Sequence, residues 1–108
     1  MNYTKSQREY YNEHRNRVIA DLGITRNQYN AFRRIGDQLH SLYEQSCNGT
    51  IDEQAYEDST NVWYAVADRM ALQFHLYIYY QTDPRGATIY CSKDPIAKNS
   101  YTNASCIY

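Results

Sequence analysis

Five residues in the second half of the chain have the types and spacing of a binding surface. His75, Tyr77 and Tyr79 alternate along one apolar segment, Tyr90 lies in the next, and Arg85 lies between the two. Tyrosine offers a large contact area at low entropic cost, and Tyr and Arg are enriched at binding hot spots. The pattern predicts a surface that binds a protein or stacks on unpaired bases. The alternative interpretation is that these tyrosines pack against the helices.

No arrangement of side chains in the sequence is typical of an enzyme. His14, His40 and His75 fall in three different predicted elements, and no serine lies in a nucleophile-elbow motif. The four glycines are too scattered for a phosphate-binding loop, and the three cysteines lack metal-ligand spacing. A general-base role for His75 is conceivable, but a partly exposed strand histidine more often has none. We therefore expect a non-enzymatic protein without cofactor or metal.

The charge balance argues against a general duplex-DNA binder. Lys and Arg number 11 and Asp and Glu number 12, so the net charge is −1, whereas such proteins normally carry a basic surplus. Residues 1–50 hold seven basic and five acidic side chains, most of the basic ones arginines. Arginine suits phosphate and carboxylate partners. Because glutamates are interleaved, we favour a neutralised helix surface over an arginine phosphate site.

The sequence has no feature that directs it to a membrane. No apolar run approaches the roughly 20 residues of a transmembrane helix, and the polar segment Met1–Tyr10 lacks a signal-peptide core. An odd number of cysteines is atypical of a secreted disulfide scaffold. We therefore expect a cytoplasmic protein without membrane association. Its low net charge and 15% aromatic content favour a folded chain.

Three segments with helical periodicity precede the tyrosine-rich region. The predicted helices cover about residues 6–21, 26–47 and 52–72. Thr25 is the expected N-cap of the second helix. The third helix would bury one stripe of side chains, with Trp63 at the centre of the core because its indole has the largest area to bury. The members of this stripe are Ala55, Ser59, Val62, Trp63, Val66, Met70 and Ala71.

The hydrophobic period changes from 3.6 to 2 at Phe74, which predicts β-strands in the rest of the chain. The first would cover about residues 74–81, with Leu76 and Ile78 directed inward. Asp83-Pro84-Arg85-Gly86 has the composition of a β-turn. Two further strands would cover about residues 87–91 and 104–108. Three helices followed by a hairpin or a small three-stranded antiparallel sheet make a single α+β domain over residues 1–108.

Three stretches of the sequence resemble small proteins encoded by phages and integrated mobile elements. They are residues 22–30, residues 44–49 and above all residues 79–90, which contain the run Gln-Thr-Asp-Pro-Arg-Gly. The resemblance covers roughly residues 22–108. Many phage proteins of this size bind host macromolecules, and inhibitors of CRISPR–Cas and other defence systems are prominent among them.

This resemblance implies a non-enzymatic inhibitor that acts in the cytoplasm of a host cell. Its partner would be a host protein or a ribonucleoprotein complex such as a CRISPR–Cas effector, and a homo-oligomer is compatible with that role. The alternative is a small nucleic-acid-binding accessory protein that uses Tyr77, Tyr79, Arg85 and Tyr90. The charge balance favours the first interpretation.

Overall fold

The computed structural model describes residues 3–83, 86–96 and 103–108. Three helices come first in these parts of the chain: α1 (Tyr3–Leu22), α2 (Arg26–Cys47) and α3 (Glu53–Gln73). Three strands follow: β1 (Tyr77–Asp83), β2 (Gly86–Ser92) and β3 (Ser105–Cys106). The described strands form one antiparallel sheet in the order β1-β2-β3. The expected α+β class, with helices before strands, is confirmed.

Helix α2 lies at the centre of the core because its apolar residues recur every three or four positions. Its buried side chains are Tyr29, Phe32, Ile35 and Leu39. Helix α3 packs on one side of it, and β2 packs on another. From the sheet side the core receives Ile89, Cys91 and Ile107, none of which is more than 2% exposed. The helix therefore joins the helical layer to the sheet.

The three helices end in the same backbone motif, and this motif fixes where the sheet begins. The residue after each cap has a positive φ: Gly23 at 65°, Gly49 at 77° and His75 at 59°. The next N–H donates to a carbonyl five residues back; for α3, Leu76 bonds to Ala71 at 2.8 Å. This is the Schellman arrangement. Because it holds residues 74–76, β1 begins at Tyr77 rather than at residue 74.

The buried face of α3 differs from the predicted stripe. Val62 is 61% exposed and Val66 is 37% exposed, and Trp63 is only partly buried at the edge of the core. Ala71 of the predicted stripe is buried, and the helix also buries Thr60 and Ala67, which the stripe did not include. Positions 62 and 66 lie one residue, or about 100°, away from positions 63 and 67 on the helix. The small alanines face the core, and the expected central position of Trp63 is wrong.

Residues 106 and 107, at the end of β3 and directly after it, join the sheet to α1 and α2. The backbone N–H of Ile107 donates to the carbonyl of Ile89 at 2.8 Å. Arg33 of α2 donates through Nη1 to the carbonyl of Ile107 at 3.0 Å. His14 of α1 donates through Nε2 to the carbonyl of Cys106, also at 3.0 Å. Residues 106–107 are therefore held from three directions.

Candidate binding surface

The β1–β2 register separates the sheet into a helix-packed face and an outer face. Ile78 opposes Cys91 and Tyr80 opposes Ile89; all four either belong to the buried core or pack against it. Alternation along a strand then directs the intervening side chains to the opposite face. We call that set the outer tyrosine face; its members are Tyr77, Tyr79, Gln81, Thr88 and Tyr90. The tyrosines of this face therefore do not pack on the helices.

Tyr80 shows how the helix-packed face differs from the outer tyrosine face. Its ring contacts Tyr64 of α3 edge-on, with centroids 4.8 Å apart. Its hydroxyl donates to Oδ1 of Asp68 at 2.7 Å. Burial, followed by this hydrogen bond, raises the pKa of Tyr80 well above its ordinary value. Tyr80 therefore serves as a structural contact between β1 and α3.

Tyr79 and Tyr90 form the centre of the outer tyrosine face, since they lie directly opposite each other on β1 and β2. The Tyr90 hydroxyl donates to Oε1 of Gln81 at 3.2 Å. The Tyr79 hydroxyl accepts the backbone N–H of Ile96 at 3.1 Å. Both rings are partly buried. The backbone of Ile96 thus lies against Tyr79, which is less accessible than simple alternation suggests.

Tyr77 is the most accessible of the three tyrosines. It stands at the first position of β1, and 48% of its surface is exposed. Its cross-strand partner is the small residue Ser92, which is itself buried. The Ser92 hydroxyl donates to the carbonyl of Asp94, which fixes the chain immediately after β2. Tyr77 therefore presents a broad aromatic surface beside an ordered backbone.

Of the other two predicted binding residues, His75 does not extend this face. His75 is exposed, but it occupies the positive-φ position between α3 and β1, so its expected place in the strand beside Tyr77 is wrong. Helical hydrogen bonding continues through Phe74, which leaves no extended backbone at residue 75. Arg85 and Pro84 lie outside the described residues. The described strands pair as far as Asp83 and Gly86.

A second polar cluster, between α1, α2 and the segment after β3, combines arginine and tyrosine. The guanidinium carbon of Arg33 lies 4.6 Å from the ring centroid of Tyr108 and 5.5 Å from that of Tyr11. These are cation–π distances. Sequence reasoning noted the arginines of this half but not the cluster. In the sequence, only the four-residue spacing of Tyr29 and Arg33 on α2 points to this cluster, because side chains four positions apart on a helix are neighbours.

The core of this cluster contains a buried tyrosine hydroxyl. Tyr29 is 0% exposed, and its hydroxyl has no hydrogen-bond partner in the described part of the chain. Burial, and then the nearby Tyr11 hydroxyl, raise the pKa of Tyr29, while the charges of Arg33 and Arg15 act in the opposite direction. The Tyr11 side chain is therefore close enough to the Tyr29 hydroxyl to contribute to this rise in pKa. Both arginines are therefore close to it.

A pocket of about 590 Å³ lies between the end of α1 and the residues that follow β2. Its described lining includes Asp21, Lys93 and Asp94, so both signs of charge are present. Cys91 is also among the lining residues, and burial raises the pKa of its thiol to about 12. A thiol that stays protonated at neutral pH is a poor nucleophile. In the described residues no group of three or more His, Cys, Asp or Glu could hold a metal ion.

Comparison of the chain with protein-family models, curated proteins and solved structures gives no match. None of the helices in the described residues combines the length and the hydropathy that crossing a membrane requires.

Proposed function

We propose that this chain is a non-enzymatic protein that binds a macromolecule through the outer tyrosine face. The observation that carries the proposal is the position of Tyr77, Tyr79 and Tyr90 on the side of the sheet opposite the helices. A few Tyr, Trp and Arg side chains usually supply most of the energy of a protein interface. Three tyrosines on two paired strands have that composition.

The hydrogen bonds around the face support a binding role because they order its centre in advance. Tyr79 is held by the Ile96 backbone, and Tyr90 is held by Gln81. Side chains that are already ordered lose less conformational entropy on association. Tyr77, with 48% of its surface exposed, is left to bury the largest new area. We expect Tyr77 to be the main anchor and its two neighbours to act as a rigid platform.

The proposed target is a host macromolecule, and the resemblance to phage and mobile-element proteins supports this choice. We propose a protein or ribonucleoprotein partner, with CRISPR–Cas and other defence effectors as the first class to test. A net charge of −1 favours such a partner over bare nucleic acid. The protein would act by occupying the partner's surface, without chemistry of its own.

The test is a pull-down of the tagged full-length protein from a lysate of its host, with and without nuclease. Three forms are compared: the unaltered protein, Tyr77→Ala and Tyr10→Ala. Tyr10 is the matched control because it is a highly exposed tyrosine on α1, 70% exposed. We expect the same protein partner with the unaltered form and with Tyr10→Ala, and roughly tenfold or greater loss with Tyr77→Ala.

Two results would contradict the proposal. Retention of the partner by Tyr77→Ala, with loss by Tyr10→Ala, would move the binding surface to α1. Recovery of nucleic acid alone, abolished by nuclease, would favour the nucleic-acid-binding alternative. In that case binding should also fall steeply between low and moderate salt, because phosphate contacts release counterions. A tyrosine-rich protein interface should change little over the same range.

A further inference from the structure

Two buried donors between α1 and α2 have no acceptor among the residues described. They are the Tyr29 hydroxyl and Nε of Arg15. Nη2 of Arg15, a different nitrogen of the same guanidinium, donates to Oδ1 of the neighbouring Asn16 at 3.5 Å. Buried polar groups in native proteins are nearly always hydrogen-bonded. An acceptor that reaches both groups from outside the chain would explain their position.

Arg33 supplies a second guanidinium beside these donors, and its orientation is already set. Its Nη1 donates to the carbonyl of Ile107, and its planar group lies over the rings of Tyr108 and Tyr11. No carboxylate in the described chain lies within 4 Å of either arginine. The two positive charges are thus partly buried without an anionic partner, which is costly unless an anion joins them.

We propose that Arg15, Arg33 and the Tyr29 hydroxyl form a binding site for a phosphate group. A phosphate group carries a charge of about −1.5 to −2 at neutral pH, so it balances two guanidinium groups, whereas one carboxylate would leave a surplus. Arginine donates two parallel hydrogen bonds to such oxyanions. Tyr11, whose ring lies 5.5 Å from the guanidinium carbon of Arg33, is 41% exposed, so the cluster reaches the protein surface. This site shares no residue with the outer tyrosine face.

The first measurement is an NMR titration of the full-length protein with inorganic phosphate. The Nε–H signal of Arg15 reports directly on the donor that lacks a partner. We expect this signal to shift in a saturable manner, and acetate at equal ionic strength to leave it unchanged. An unchanged Arg15 signal up to about 10 mM phosphate, which corresponds to binding weaker than roughly 3 kcal/mol, would overturn the proposal.

Variants then separate the site from general charge attraction. Tyr29→Phe removes one hydroxyl and keeps the ring, and Arg15→Gln removes one charge; each should weaken phosphate binding roughly tenfold or more. Arg34→Gln is the matched control, because Arg34 is the exposed neighbour of Arg33 on the same helix. Equal weakening by Arg34→Gln, or acetate binding as tight as phosphate, would overturn the proposal.

Thermal melting without phosphate distinguishes a ligand site from a site filled by structural water. If the Tyr29 hydroxyl awaits a ligand, Tyr29→Phe should melt at the same or a higher temperature than the unaltered protein. A lower melting temperature would show that water already satisfies the hydroxyl and would contradict the proposal. Phosphoserine, tested beside inorganic phosphate, identifies the source: tighter binding of the ester indicates a phosphorylated ligand, and tighter binding of phosphate indicates the free ion. Tyr77→Ala should bind both normally, so this test is independent of the proposed function.

Discussion

The ring of Tyr108 lies directly against Gly36 of α2. A Cβ atom placed on Gly36 would come within 2.2 Å of the ring, closer than any real contact. The Tyr108 hydroxyl donates to Oδ1 of Asp37 at 3.0 Å, and Arg33 stacks on the ring. Gly36 is therefore required by packing, although it lies in the interior of a helix where alanine is normally preferred.

Gly36→Ala should destabilise the protein by about 1–3 kcal/mol, because the new methyl displaces the Tyr108 ring. The control is the same substitution in a Tyr108→Ala background. There the clash is absent, and alanine should stabilise the helix by about 1 kcal/mol relative to glycine. Urea denaturation of the four proteins measures both effects. An equal loss in both backgrounds would show that the ring does not determine the residue at position 36.

His75→Gly should stabilise the protein by about 0.5–1 kcal/mol. His75 has a φ of 59° at the end of α3, and the left-handed region costs an L-residue about 1–2 kcal/mol. Glycine avoids this cost, but its more flexible unfolded chain loses more entropy on folding, which offsets part of the gain. Thermal melting provides the measurement. His75→Ala keeps the Cβ atom and should give no gain, so a similar increase in that variant would contradict this explanation.

Tyr77 and Tyr79 should differ in their effect on stability although they share a face. Tyr77→Ala should change the free energy of unfolding by no more than about 0.5 kcal/mol, as expected for an exposed side chain. Tyr79→Phe should cost about 0.5–1.5 kcal/mol, because the N–H of Ile96 loses its acceptor. Chemical denaturation of both variants tests this contrast. The reverse order would mean that Tyr77 is a structural residue.

Stability should fall as the pH rises above 9. Burial raises the pKa of the Cys91 thiol from its ordinary 9.0 to about 12. The unfolded thiol ionises first, so the contribution is complete below pH 9 and is lost as the pH rises towards 12. Cys91→Ala should reduce the slope of unfolding free energy against pH in this window. An unchanged slope would indicate that the folded thiol ionises at its ordinary pKa.

Tyr80 should extend this loss above pH 10, since its pKa is raised by burial and by the hydrogen bond to Asp68. Tyr80→Phe is the corresponding variant. It should unfold more easily at neutral pH because it lacks the hydrogen bond, and it should also show a shallower slope above pH 10. Absorbance at 295 nm during an alkaline titration counts the tyrosines that ionise only at the highest pH. The variant should have one fewer of these late tyrosines than the unaltered protein. Equal numbers of late tyrosines would contradict the assignment.

The parts of the fold that follow from local periodicity were predictable. The apolar spacing of α2 identifies Phe32, Ile35 and Leu39, which are buried, because the helix meets its neighbours along one stripe. The same reasoning was only partly right for α3: Ala71 is buried as predicted, but Val62 and Val66 point away from the core, and Ala67, which was not predicted, faces it. Side-chain size alone did not reveal which face would meet α2.

The candidate sites likewise include residues that local sequence patterns predict and residues whose positions depend on the tertiary fold. The outer position of Tyr77 and Tyr79 follows from strand alternation, whereas the place of His75 depends on how far α3 continues. The arginine–tyrosine cluster could not be inferred locally, because Arg33 and Ile107 are 74 residues apart in the chain. Contacts of that separation depend on the tertiary fold. Sequence patterns can identify candidate residues of such a cluster, but they do not show that these residues contact one another.

The contacts of residues 106–107 with α1 and α2 have a consequence for folding kinetics. His14 and Cys106 are 92 positions apart, and contacts across such separations form slowly because the intervening chain must first be ordered. The three helices contain mostly local contacts and should form earlier. Until residues 106–108 dock, Gly36 and the guanidinium of Arg33 lack the Tyr108 ring that covers them. The proposed phosphate site is therefore completed in the last stage of folding. Added phosphate should accordingly slow unfolding more than it accelerates folding.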